Sequence, residues 1–403
     1  MINRTMLRLS YLSKTGGVGC TIKQEPEHFI VEEIGLDGEI YEVDRFVQPK
    51  WKEKEDYTIV VVQKKNWTTH DVIRAITALL KMSKKRASFA GSKDRRAITV
   101  QCISIYNADV ESVKKLKIKD VAILGAWYWD RPIHLGDLLG NRFTIYVPET
   151  VDQSELISNI YSELGGVVPN YFGEQRFGAR WNSHLIGKYL IKRKFADAVH
   201  EYLTRITEEP AEVKEARLRL AQTYDYKTAL KEFPQYLKYE RILLNHLVTA
   251  PNDYIGALRR LPLALCLMFI HSYQAHLFNT ILSDKISEGS IFDLESGEYR
   301  CGVNWYSFPD VMRINGKFPV GKIIGYETKI NEREKRLLDE EGITPAEFKI
   351  PQFPELSSRG SYRPYLVPIK DFEFKKGTFV FELPPGSYAT IVMREFLDKK
   401  GFK

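Results

Sequence analysis

The sequence predicts an α+β protein with a mostly helical insertion, and three observations predict it. Runs of β-branched and aromatic residues bounded by Gly, Pro, Asp and Asn occur before residue 65, again near Ile98, and again after Pro351. Residues 185–285 are rich in Ala, Leu, Lys, Glu and Arg at helical spacing, with few strand-like runs. At 403 residues and 46.7 kDa, the chain has room for two domains of ordinary size.

Element by element, Phe29-Ile30-Val31 and then residues 57–62 read as strands. A helix follows, capped by Thr68 or Thr69, because Val72, Ile73, Ile76, Leu79 and Leu80 paint one apolar stripe. Residues 81–86 then place positive charge at its carboxyl end, where the helix dipole favours cations. After a loop through Gly91 and Asp94, Ile98, Val100 and Cys102 alternate with Thr99, Gln101 and Ile103, as in a strand with one mainly apolar face. Leu156, Ile157, Ile160 and Leu164 predict a second amphipathic helix, ended by Gly165-Gly166. Beyond the helical stretch, residues 291–341 loosen into Gly-, Tyr- and Pro-containing segments. Strand texture returns at Phe372, Phe374 and residues 378–383 and 389–393.

Hydrophobic residues make up 44%, aromatics 12% and charged residues 28%, an ordinary mixture that excludes collagen, a long coiled coil and wholesale disorder. The longest apolar stretch, residues 261–270, contains Pro262 and falls short of the ~18 residues of a membrane helix, so no membrane span is expected. The first 20 residues lack the apolar centre and cleavage site of a secretory signal, which points to a cytoplasmic location. Cys20, Cys102, Cys266 and Cys301 are scattered, with no Cys-x-x-Cys pair, so reduced thiols are expected and no metal site. A balance of 59 Lys plus Arg against 52 Asp plus Glu fits a polyanionic partner without demanding one.

The most informative stretch is residues 81–96, where Lys81, Lys84, Lys85, Arg86, Lys93, Arg95 and Arg96 surround a single acid, Asp94. Nearby cations favour an ionised carboxylate, and Gly91 and Ser92 let the backbone approach a ligand. Spacing alone leaves two readings open: a salt-bridged acid in a solvated basic loop, or a phosphate-binding loop with a reactive acid at its centre. The segment from Asn170 to Gly178 gathers Tyr171, Phe172 and Phe177 with Asn170, Gln175 and Arg176. Such a mix suits stacking on bases and bonding to their edges, or simple packing in a core. Pro384-Pro385-Gly386 reads as a turn before a final helix or strand. Gly316, Gly321 and Lys322 have the spacing of a phosphate-cradling loop, but Ile323 stands where a Ser or Thr would hold Mg²⁺, and Pro319 interrupts it. His271 and His276, five apart, are not at metal-ligand helix spacing.

Taken together, the segments resemble the TruD family of tRNA pseudouridine synthases, as an archaeal-type member. Residues 90–101, centred on Gly91-Ser92-Lys93-Asp94-Arg95-Arg96, are similar to the family signature, with Ser92 for the more usual Thr. Residues 170–178 resemble its Asn-x-Phe-Gly-x-Gln-Arg-Phe-Gly stretch, and residues 23–33 its amino-terminal Lys-x-x-Pro-x-x-Phe-x-Val motif, with His28 where members often carry Asp. Leu135-Gly136 with Gly140-Asn141 and Phe143, and Gly386 to Thr390 with Arg394-Glu395, match in the same order.

The resemblance implies a catalytic domain with a mixed, mostly antiparallel sheet, formed by residues 1–183 and 352–403, and an inserted mostly helical α/β domain over residues 184–351. It implies a cofactor-free isomerisation of a uridine already in the RNA, typically at position 13 of tRNA. Asp94 matches the family's essential aspartate, and Lys23 its basic partner. Phe172 would stack on the uracil and Asn170 bond near it, with Gln175 and Arg176 in the same substrate-binding loop. Lys84, Lys85, Arg86, Lys93, Arg95 and Arg96 would face the RNA backbone. The partner is tRNA, with no membrane and no metal, and the oligomeric state is left open with a monomer favoured. The competing class is a non-catalytic RNA-binding or RNA-chaperone protein on the same fold, which would not need Asp94. A nucleotide-dependent enzyme is a weaker third, undercut by Ile323.

Overall fold

The computed structural model describes residues 9–19, 22, 25–51, 53–147 and 153–397. In chain order the first elements are β1 (Phe29–Ile34), β2 (Tyr57–Lys65), α1 (Thr69–Leu79), β3 (Ala87–Phe89), β4 (Ile98–Tyr106), α2 (Val110–Lys114), β5 (Val121–Trp129), β6 (Gly140–Tyr146), α3 (Ser154–Leu164) and β7 (Val167–Pro169). Helices follow: α4 (Ser183–Ile191), α5 (Phe195–Thr204), α6 (Ala211–Thr223), α7 (Tyr226–Glu232), α8 (Lys238–Thr249), α9 (Tyr254–Arg259) and α10 (Leu263–Ser287). Then come β8 (Tyr299–Val303), β9 (Pro309–Ile314), β10 (Phe318–Ile323), α11 (Glu332–Glu341), β11 (Ser361–Pro364), β12 (Leu366–Pro368), β13 (Lys370–Lys375), β14 (Thr378–Leu383) and α12 (Ala389–Phe396).

By its contacts the chain forms two units, one of Leu12–Val168, Val303–Asp310 and Val367–Lys403, the other of Met1–Tyr11, Pro169–Gly302 and Val311–Leu366. Residues 169–183 and 352–366, expected with the sheet, therefore group with the helices. The reason is local bonding: Asn170 N–H donates to the Tyr365 carbonyl at 2.8 Å, and the Phe172 backbone is bonded on both sides by the Asn279 side chain of α10.

In the first unit the described strands run β13-β14-β6-β1-β4-β2-β5, with β3 beside β4. The β1–β4 pair is parallel and the other neighbours are antiparallel, so the sheet is mixed and mostly antiparallel. Because directly opposed residues share a face, Val60 and Val62 of β2 lie with Ile103 and Ile105 of β4 against Val72, Ile73 and Ile76 of α1. Ile59, Val61, Val100 and Cys102 face the other way, against Tyr41, Leu124 and Trp127. Both faces of the central strands are thus covered, whereas alternation in β4 predicted one mainly apolar face. Each fully buried Val or Ile side chain here contributes roughly 1.5–3 kcal/mol.

Two local expectations change. The helix α1 begins as expected, with the Thr68 hydroxyl accepting from Asp71 N–H, but it ends at Leu79, and Lys81 turns left-handed at φ 56°. Lys84–Arg86 form a separate short 3₁₀ turn, so these cations lie beyond the helix end and face solvent. Residues 389–393, with Thr390, Ile391 and Val392, looked like a strand, yet they open α12. Ala389, Val392, Met393 and Phe396 are buried at i, i+3, i+4 and i+7, and Phe396 stacks on Phe372 with ring centres 5.1 Å apart, so tertiary packing overrides the β-branched preference.

Gly140 opens β6 where no side chain fits: an added Cβ would lie 2.4 Å from the Leu383 carbonyl oxygen and 2.7 Å from the Phe308 ring. The β6–β14 register, which pairs Asn141 with Leu383, sets that approach. Gly140→Ala is expected to cost about 1–3 kcal/mol by forcing these strands apart. A thermal melt within 1 °C of the parent would show that the strands yield freely.

The second unit is built around α10, which buries Phe269, Ile270, Tyr273, Leu277, Phe278 and Ile281, and carries a four-stranded sheet ordered β11-β10-β8-β9. Three of those strands, β8, β9 and β10, were not legible in residues 291–341 because they are short and Gly302 and Gly321 stand inside β8 and β10. Lys322 lies in β10, buried, with its ammonium 2.9 Å from Glu334, which removes it from any phosphate loop.

Candidate active site

The strand parity that turns Val60 and Val62 toward α1 turns Lys64 the same way. Cross-strand pairing extends that face: Lys64 opposes Thr99, Thr99 opposes Val31, and Glu33 opposes Asn141. Where the apolar core ends, one face of the sheet therefore carries the polar side chains Lys64, Thr99, Gln101, Glu33 and Asn141. All but Asn141 are buried. The Asp94 loop lies over them.

That loop is tied down residue by residue. Gln101 Nε2 donates to the Gly91 carbonyl at 3.1 Å, and Gln101 Oε1 accepts from the Thr69 hydroxyl at 2.7 Å. The same hydroxyl accepts from Lys93 N–H at 3.0 Å. Ahead of it, the Ala90 carbonyl accepts from Gly136 N–H at 2.8 Å. Lys93 turns inward: its ammonium lies 2.8 Å from Glu33 and donates to Asn141 Oδ1 at 2.6 Å, with side-chain exposures of 4% and 2% for the ion pair. Lys64 Nζ donates to the carbonyls of Asp94 and Trp67, each at 2.7 Å. Burial pulls the Lys64 ammonium down to about 8, while the neighbouring Asp94 charge acts in the opposite direction. Asp94 itself is half-buried on this anchored backbone, between the inward Lys93 and the exposed Arg95. Such an arrangement presents one carboxylate at a defined place, as nucleophilic or general-base chemistry requires.

Of the six cations expected at an RNA backbone, Lys84, Lys85, Arg86, Arg95 and Arg96 are exposed. Lys93 is the exception, because its length and the buried Glu33 beneath it draw it into the protein. Lys23 lies outside the described residues.

The loop after β7 belongs to the other unit. Phe172 is half-buried and its ring lies 4.1 Å from the Arg363 guanidinium carbon, 5.5 Å from that of Arg176, and edge-on to Phe278. Asn170, expected to bond near a base, is buried with its amide engaged inside the protein. Its Oδ1 accepts from Arg363 Nη2 at 2.6 Å and its Nδ2 donates to the Pro364 carbonyl at 3.1 Å. Asn170 thus seats the guanidinium that packs on Phe172. Gln175 is exposed and Arg176 half-buried.

Lys64, Glu33, Gln101, Thr69 and Arg363 were not singled out from the sequence. A signal for Lys64 existed, since a lysine in phase with Val60 and Val62 stands on the core side of its strand. Arg363 had none, because 193 residues separate it from Asn170. Among the described residues, no group of three or more His, Cys, Asp or Glu is placed to hold a metal, and no helix is long and apolar enough to cross a membrane.

The sequence model of the family described as tRNA pseudouridine synthase D (TruD) matches residues 7–396. A protein of Archaeoglobus fulgidus called probable tRNA pseudouridine synthase D is 37% identical, over 96% of this chain and 97% of that one. One of Methanococcoides burtonii with the same description is 33% identical, over 98% and 96%. The crystal structure of a putative tRNA pseudouridine synthase D from Methanosarcina mazei superposes with a TM-score of 0.76 at 33% identity, covering 98% of each chain.

Proposed function

The chain belongs to the TruD family of tRNA pseudouridine synthases, and from that membership we propose that this isomerase converts a uridine of tRNA, the one at position 13, to pseudouridine with Asp94 as its essential residue. The observation that carries the residue assignment is the anchored loop: an acid set on a backbone held by Lys64, Gln101 and Thr69.

The reaction breaks the bond between N1 of uracil and C1′ of the ribose, turns the uracil, and joins C5 to C1′. The bonding pair leaves with the uracil. The Asp94 carboxylate either adds to C1′ or takes the C2′ proton, and in both routes it must be ionised and correctly placed. When C5 joins C1′, the Asp94–C1′ bond breaks or the C2′ proton is returned, C5 gives up its own proton, and N1 of the turned uracil gains one, so the product is an isomer of the substrate. A uridine within folded RNA first leaves its stack, at a cost of a few kcal/mol. Phe172 is proposed to stack on the freed base, with Gln175 and Arg176 in the same loop. Asn170 acts through Arg363, whose guanidinium it holds. Lys23 is proposed to steady Asp94 on the strength of the sequence resemblance.

Incubating the purified protein with an unmodified tRNA transcript, without cofactor or metal, and mapping pseudouridine after carbodiimide treatment tests the assignment. A stop at position 13 is expected. RNA binding with no modified uridine would leave only the chaperone reading standing.

The exposed run Lys84, Lys85 and Arg86 is proposed to contact phosphates, since phosphate contacts release counterions and make affinity fall with salt. Neutralising all three is expected to lower the slope of log K against log salt by about 2–3 in magnitude. An unchanged slope would return them to the role of a solvated face.

A further inference from the structure

We propose that Lys64 is a positioning residue for the reaction, fixing the backbone of Asp94 and setting an otherwise unpaired positive charge beneath its carboxylate. The inference rests on the Asp94 reading above. Four lysines are buried among the described residues: Lys64, Lys93, Lys285 and Lys322. Three of them are paired with glutamates, Lys93 with Glu33, Lys285 with Glu295 and Glu298, and Lys322 with Glu334. Lys64, only 1% exposed, is bonded instead to two neutral carbonyl oxygens, those of Trp67 and Asp94.

A buried cation without a carboxylate partner is costly, and a chain that needed only packing at this point would do better with Met or Leu. Among the described residues, the charged groups acting on Lys64 are Asp94 and Lys93 from the loop above it, and Lys93 is neutralised by Glu33 of β1. Asp94 is therefore the anion that its charge serves. The ammonium holds the Asp94 carbonyl from below, which limits how the Cα–Cβ bond can swing, and it sets a fixed positive charge on that side of the loop. Lys64 reaches the reacting atoms only through Asp94.

Burial brings the Lys64 ammonium to about 8, so its charge is present at neutral pH and is lost as pH rises through that value. The test is single-turnover pseudouridine formation on unmodified tRNA from pH 6.5 to 9.5, with tRNA affinity and melting temperature measured on the same proteins. Lys64→Gln keeps a donor without the charge. Its rate at pH 7 is expected to fall about 100-fold per folded molecule, with affinity unchanged, as misplacement of a reacting group does. Lys64→Arg keeps the charge and does not titrate, and is expected to restore most of the rate and to remove the alkaline fall seen in the parent.

A Lys64→Gln rate within threefold of the parent would overturn the proposal. So would a parent profile flat through pH 9.5, or an alkaline fall that persists unchanged in Lys64→Arg. Asp94→Asn separates the two levels of inference: if it turns over normally, the Asp94 assignment falls. If it is inactive while Lys64→Gln is not, only the role of Lys64 is lost.

Discussion

Asp94→Asn is expected to abolish pseudouridine formation, with a loss of at least about 10⁴-fold in single-turnover rate, while leaving the melting temperature within 2 °C and tRNA affinity within about threefold. The amide keeps the volume and planarity of the carboxylate but can neither attack C1′ nor accept the C2′ proton. Folding should tolerate the change because the tie to Lys64 uses the Asp94 main-chain carbonyl, not its side chain. Measurable turnover above a tenth of the parent rate would remove Asp94 from the chemistry and leave the loop a structural one.

The largest loss of stability is expected one residue earlier. Lys93→Met leaves the Glu33 carboxylate buried in the sheet with the Cys102 N–H, 3.0 Å from Glu33 Oε1, as its remaining close donor among the described residues. Breaking a buried pair on one side costs roughly 3–5 kcal/mol, because the surviving charge has lost both water and partner. For a unit of this size that lowers the melting temperature by roughly 6–20 °C. Lys93→Met combined with Glu33→Gln is expected to recover more than half of the loss, since no charge is then stranded. If the double variant melts no higher than the single one, the damage comes from Asn141 and the loop, not from Glu33.

Much of the sheet unit was legible because strong local signals agree with the final packing. The run from Tyr57 is apolar on both faces, Thr68 caps α1, and the Gly91 to Arg96 segment carries its own signature. The polar floor beneath Asp94 was only half legible. Parity alone marks Lys64 as core-facing, yet nothing local says that Glu33 of β1 arrives beneath Lys93, because β1 and β4 pair across more than sixty residues. The Phe172 surroundings were less legible still, since Asn170 looked like a base-reading amide until Arg363 occupied it. Residues 291–341 and 389–393 failed for a simpler reason: short elements carry weak periodicity, and their neighbours decide their state.

One feature of the topology bears on how the protein comes into being. Strand β6 is bordered by β1 on one edge and by β14 on the other, and its partner β14 lies about 230 residues later in the chain. At ~5–20 residues per second, a ribosome needs roughly ten to fifty seconds to deliver that partner. Throughout that interval β6 offers nascent chain an unpaired edge with Phe143 and Ile145 still waiting for Phe381 and Phe379. Helices α4–α11 and strands β8–β11 are all translated inside this gap, so the sheet closes only after them. Premature termination between Tyr146 and Thr378 would therefore yield a chain that already carries the Asp94 loop but whose sheet has an open, aggregation-prone side.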